Sequence, residues 1–143
     1  MLHYTDLKLG QEFPPVEHQA TQEVIDLAAL AHLDFNPVHT NIGWNEKAQV
    51  FGMTETAAHG MFTMSLMASV IDRAWRHDGA SILTMESKLT KPVAVGQTTR
   101  CTGVITELHP LGPGRNAVVV AVTARDTTGD VVGVCNFRVA VPD

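Results

Sequence analysis

Residues 59–76, HGMFTMSLMASVIDRAWR, constrain the fold more than any other part of the chain. The segment is rich in good helix formers, and Met61, Met64, Leu66, Met67, Val70, Ile71 and Trp75 are spread over nearly every side of a helical wheel. A helix this apolar has to be enclosed by the rest of the protein. The chain beyond it is β-rich: SILTMESKLTKPVAV, TTRCTGVITEL, NAVVVAVTARDT and VVGVCNFRVAV, separated by turn signals at residues 95–97, 112–114 and 128–130. In TTRCTGVITEL apolar and polar residues partly alternate, as on a sheet with one buried face and one wetter one. One apolar helix ahead of four long strands implies an α+β fold, a meander of antiparallel strands curled round a central helix.

The chain has 143 residues and shows no repeat, low-complexity segment or linker, so a single domain over residues 1–143 is expected. Its net charge of -5 argues against a nucleic-acid or anionic-membrane partner, either of which calls for a basic face. The first residues, MLHYTDLKLGQEF, lack a basic region ahead of an apolar core, and no apolar run reaches the ~20 residues that span a bilayer. A cytosolic protein is expected. Cys101 and Cys135 have no CxxC partner and read as buried thiols, not as a disulfide or zinc site. His3, His18, His77 and His109 read as ordinary surface residues.

The candidate chemistry lies in LAHLDFNPVHTN, residues 30–41. TQEVIDLAALAHL before it has Val24, Ile25, Leu27, Ala28 and Leu30 at helical spacing with Thr21 as N-cap. Asn36-Pro37 should end that helix, since the residue before a proline is pushed out of the α region. Asp34 and His39 would then sit on a proline-stiffened turn. Either alone reads as a turn carboxylate or a surface histidine. Five residues apart on such a turn, they can meet as an acid–base pair, with Asn36 bracing the local backbone. His59 and Gly60 open the apolar helix, where free N–H groups and the helix dipole favour a developing oxyanion, and where glycine admits a close ligand. An acid–base pair and an oxyanion donor describe chemistry beside a carbonyl.

DFNPVH followed by AHGM resembles the signature of the MaoC-like, (R)-specific enoyl-CoA hydratases, or hydratase 2, a branch of the hot-dog superfamily. The likeness runs from LKLGQEF through SKLTKPVAVGQT to VCNFRVAV. It implies a hot-dog fold, with a curved antiparallel sheet around a long central helix, and two such units paired as a homodimer or a larger assembly. Long unpaired sheet edges point to the same assembly. The resemblance makes Asp34 and His39 the catalytic pair holding one water, and Gly60 the amide that meets the thioester carbonyl. It puts Asn36, His59 and Met61 at the substrate, and Lys88, Lys91 and Arg100 near the coenzyme A phosphates. Relatives often carry a hydroxyl residue on the central helix near the pair; here Ala68 stands there with Ser69 beside it.

The implied reaction is hydration of a trans-2-enoyl thioester, or its reverse, in fatty-acid or related metabolism, with no metal and no organic cofactor. The acyl group would arrive as a free thioester, on coenzyme A more than on acyl carrier protein. Three rival readings exist: a two-histidine, one-carboxylate metal site from His32, Asp34 and His39; a hot-dog thioesterase; and a non-catalytic subunit that binds acyl thioesters.

Overall fold

The computed structural model describes residues 1–143. After a 3-10 turn (Tyr4–Asp6) come β1 (Val16–Gln19), α1 (Gln22–His32), α2 (Pro37–Thr40), α3 (Ile42–Ala48) and α4 (Gly60–Trp75). The strands β2 (Ser81–Leu89), β3 (Thr98–His109), β4 (Ala117–Arg125) and β5 (Val131–Ala140) complete the chain. One antiparallel sheet takes them in the order β1-β3-β4-β5-β2 and curls round α4, the hot-dog arrangement.

The expected central helix is α4, with His59 as N-cap and Arg76 as C-cap. Its buried residues are Thr63, Leu66, Met67, Val70, Ile71 and Trp75, a stripe at i, i+3 and i+4 spacing. Met61 and Ser65 on the other side are exposed. The helix is therefore covered along one side and not all round, because a single sheet offers one concave face. That face is made by alternate strand residues: Cys101 and Ile105 of β3, Val118, Val120 and Val122 of β4, and Cys135, Phe137 and Val139 of β5. A Cβ on Gly103 would lie 3.0 Å from Val70 Cγ1, so a bare backbone there lets α4 settle on the sheet.

Both thiols are buried and unpaired, and burial pushes the Cys101 pKa up to about 12 and that of Cys135 up to about 11.

Two expectations need correction. The four strands after α4 do not form a simple meander, because β2 pairs with β5 at the far edge and not with β3. The connection from Thr90 to Gln97 is consequently a crossover along the end of the barrel. Ala58 N–H bonds Val93 O at 2.8 Å and Val95 N–H bonds Thr56 O at 2.9 Å, tying this crossover to the segment just ahead of α4. In α1, Thr21 caps as expected, but only Ile25 and Ala29 are buried, while Leu27 and Leu30 are each 60% exposed. The sheet never reaches that flank of α1, so its apolar side faces outward from the single chain.

Met67 has no exposed surface and packs over the bare backbone of Gly133, with Thr63 beside it. Met67→Ala leaves a cavity at that point and should lower stability by ~2–5 kcal/mol. The urea midpoint, followed by far-UV circular dichroism, checks this.

Candidate active site

The site begins where α1 stops. Leu33 adopts the left-handed conformation at φ 55°, and Asp34 N–H bonds back to Ala29 O at 3.0 Å, which turns the chain out of the helix. Asp34 Oδ1 then accepts Asn36 N–H at 3.2 Å, and Asn36 Oδ1 accepts Val38 N–H at 3.2 Å as N-cap of α2, with Pro37 in the first helical turn. The expected turn is thus a capped helical turn, and Asn36 braces it as anticipated.

This places His39 over the segment ahead of α4. Its Nδ1 donates to Ala57 O at 2.7 Å, so in the neutral ring Nε2 carries the lone pair. Nε2 lies 3.7 Å from Asp34 Oδ2, with the His39 side chain 12% exposed and that of Asp34 50% exposed. The pair is too far apart for a direct hydrogen bond, yet one water or hydroxyl can sit ~2.8 Å from both acceptors.

Beneath His39 lies His59, which is buried. Its ring stacks on that of His39 with centroids 3.8 Å apart and planes 26° from parallel, and its Nε2 donates to the Asp34 carbonyl at 3.0 Å. Gly60 is the first residue of α4, and no group of the chain accepts from its N–H. A cavity of about 300 Å³ opens here, walled by His39, Phe51, Gly60, Thr63, Leu89 and Val93 among others. Asp34 does not line it, but its Oδ2 lies 3.7 Å from Nε2 of the lining His39. A Cβ on Gly60 would fall 2.5 Å from Leu89 Cδ1, so any side chain at residue 60 would require the end of Leu89 to shift at the cavity wall.

The other anticipated residues divide. Lys91 lines the cavity, but its Nζ is bonded to Asp126 and Asp130 at 2.8 Å each, so its charge is already matched. Lys88 pairs with Val134 on the convex face of the sheet, opposite in parity to the inward Leu89, and is not brought to the cavity. Arg100 is ion-paired to Glu17 at the other edge. Met61 is 55% exposed and is not part of the cavity wall. Ser69 Oγ donates to Leu66 O and Ser65 Oγ to Met61 O, so neither hydroxyl turns to Asp34.

The trio of His32, Asp34 and His39 in the metal reading is not the one the fold assembles. The titratable cluster comprises Asp34, His39 and His59, not His32. In this cluster His39 Nδ1 and His59 Nε2 are committed to backbone carbonyls, which leaves His39 Nε2, the buried His59 Nδ1 and an Asp34 carboxylate oxygen as its uncommitted atoms.

Sequence reasoning missed three supports. Asn45, 1% exposed, donates through Nδ2 to the carbonyls of Pro37, Val38 and Asn41 and so locks α2 against α3. Gln22 Nε2 donates to His39 O at 3.0 Å, and Thr56 Oγ1 donates to Gln22 Oε1 at 2.5 Å. The Gln22 and Thr56 bonds join segments distant in sequence, while those of Asn45 span four to eight residues without a capping or turn motif to mark them.

A match to the MaoC like domain extends over residues 7–129. The chain belongs to that family. An (R)-specific enoyl-CoA hydratase of Rhodospirillum rubrum is 29% identical over 111 residues, 77% of this chain and 74% of that protein. The unliganded R-hydratase PhaJ1 of Pseudomonas aeruginosa superposes with a TM-score of 0.86 at 24% identity, covering 98% of this chain and 85% of that one. An (R)-hydratase from A. caviae involved in PHA biosynthesis gives a TM-score of 0.83 at 20% identity, covering 95% and 98%. These two likenesses establish the hot-dog fold for this MaoC-like domain. Its DFNPVH turn and its helix-opening glycine both lie within the matched residues.

The Lys91 contact has a pH signature. Burial pushes the Asp126 pKa up, but hydrogen bonds from Lys91, Thr128 and the Asp130 N–H outweigh this and bring it from 3.8 to about 2. A folded-state value below the unfolded one stabilises the fold above pH ~4, and that contribution is lost as pH falls through about 2. Between these limits the parent's urea midpoint should fall, and Asp126→Asn should show a flatter slope with lower stability at neutral pH.

Proposed function

We propose that this MaoC-like domain is an (R)-specific hydratase of trans-2-enoyl-CoA thioesters, running in reverse as a dehydratase of (R)-3-hydroxyacyl thioesters in fatty-acid or related acyl-CoA metabolism. The observation that carries this reading is the 3.7 Å gap between Asp34 Oδ2 and His39 Nε2, two free acceptors beside the cavity that holds the unbonded Gly60 amide.

A water donating to both acceptors presents its oxygen lone pair to the β-carbon of an enoyl group in the cavity. As the C–O bond forms, one member of the pair takes a proton and negative charge moves to the thioester oxygen, where the Gly60 N–H and the positive end of α4 receive it. The α-carbon then collects a proton from the pair. The sum is addition of one water, with the pair returned to its starting state and no metal or organic cofactor used. The name of the Rhodospirillum rubrum relative supports the substrate class.

Coenzyme A is the preferred carrier, and the cytosol the preferred location; no helix is long and apolar enough to cross a membrane. A homodimer completes the reading. β2 has a strand on one side only, its Ile82, Leu83 and Leu89 are 40%, 54% and 43% exposed, and Phe35, Ile42 and Trp44 add exposed apolar surface. Sedimentation equilibrium at micromolar concentration should give twice the chain mass, and a monomer there counts against the dimer.

Asp34→Asn keeps the shape of the carboxylate and removes its charge. With crotonyl-CoA and longer trans-2-enoyl-CoA substrates it should lower turnover by at least ~10²-fold, and His39→Gln should do likewise. The double variant should cost little more than either single one, because the pair acts as a unit on one water. A folded Asp34→Asn protein within a few-fold of parent turnover would refute the pair.

A further inference from the structure

We propose that His59 is the positioning residue of the Asp34–His39 pair, a single ring that grips both members at once and so sets the gap in which the water sits. The inference rests on the hydratase reading and adds to it a residue that touches neither water nor substrate.

The two grips differ in kind. His59 Nε2–H donates at 3.0 Å to the carbonyl of Asp34 itself, at the point where the chain leaves α1 through a left-handed residue. The face of the same imidazole lies against His39 at 3.8 Å, and His39 is pinned at its far side by its Nδ1–H bond to Ala57 O. His39 can therefore neither swing about its χ angles nor retreat from Asp34 without breaking the stack or the bond. Neither carboxylate nor imidazole has another contact that spans the pair, since their own separation is 3.7 Å.

His59 is well suited to this task because it is itself immobile. It is 2% exposed, serves as the N-cap residue of α4, and meets His32 of α1 edge to face at 5.6 Å. Its Nδ1 is buried and bonded to nothing in the chain, as is Nδ1 of His32. A buried polar atom without a partner is tolerated where the other contacts of the ring are needed. A phenylalanine would fill the same space without that cost, but it has no N–H for Asp34.

Two variants separate the grips. His59→Phe keeps a stacking ring and removes the donor; His59→Asn keeps a donor and removes the ring. Each should lower kcat by ~10–100-fold, the loss expected for a displacement near 1 Å at the reacting groups, with KM within about threefold of the parent. In an Asp34→Asn background, His59→Phe should cost less than about threefold more, because a positioning residue acts only through the pair it positions. Parent-level kcat in either folded variant, a loss confined to KM, or full multiplication of the two losses would overturn the proposal. Where circular dichroism shows that neither variant folds, nuclear magnetic resonance of the parent decides. A slowly exchanging His59 Nε2–H and ring protons of His39 shifted upfield by the stack are expected; freely exchanging, unshifted signals overturn it. An Asp34→Asn protein at parent turnover defeats the pair itself, whereas loss there with intact His59 variants defeats the positioning role alone.

Discussion

The burial of one stripe of α4 against the concave sheet is the interaction on which everything else rests. Thr63, Met67, Val70 and Ile71 face the strands, and the small residues Gly103 and Gly133 let the helix approach closely. Fixing that stripe fixes the rotation of the helix about its axis. Gly60 lies three residues before Thr63 on the same side, so the packing that makes the core also places the first residue of the helix beside Leu89 and in the cavity wall. Position of the proposed oxyanion donor is thus a by-product of hydrophobic burial, at about 0.8 kcal/mol per buried methylene, and does not require its own scaffold.

At the pair, polar atoms are divided between structure and chemistry. Asp34 Oδ1 and His39 Nδ1 are spent on backbone partners, Asn36 N–H and Ala57 O, while Oδ2 and Nε2 remain open. Spending one atom of each group immobilises the side chain before substrate arrives, so less conformational freedom is lost on binding. Half-exposure of Asp34 keeps the desolvation cost of its charge small.

Legibility in the sequence followed the range of the interactions. The helix expected over residues 59–76 is Gly60–Trp75 with its caps at His59 and Arg76, since helix formers and apolar spacing act within a few residues. The DFNPVH turn was readable for the same reason: its bonds, from Asn36 to Asp34 and from Val38 to Asn36, span two residues each. The strand order was not readable, because nothing in SILTMESKL says that its partner lies beyond two other strands. Lys88 and Lys91 looked equivalent as cations, yet strand parity sends the first to the convex face and two distant aspartates claim the second. The stack of His59 on His39 and the bond from Gln22 to the His39 carbonyl join helices and loops that meet only once the chain has folded.

The strand order also governs when the site comes into being. β2, which ends in Leu89 at the cavity wall, has β5 as its only neighbour in the sheet, and β5 is the last strand of the chain. During synthesis the Asp34 turn and α4 therefore emerge well before the wall opposite them can be laid down. Until residues 131–140 dock, β2 has no hydrogen-bonding edge to join, and the concave face over α4 lacks Cys135, Phe137 and Val139. The pocket wall therefore depends on a pairing across more than forty residues, the kind of contact whose loop-closure entropy is largest. A nascent chain stalled before β5 would hold the histidines and the aspartate without a chamber for them to serve.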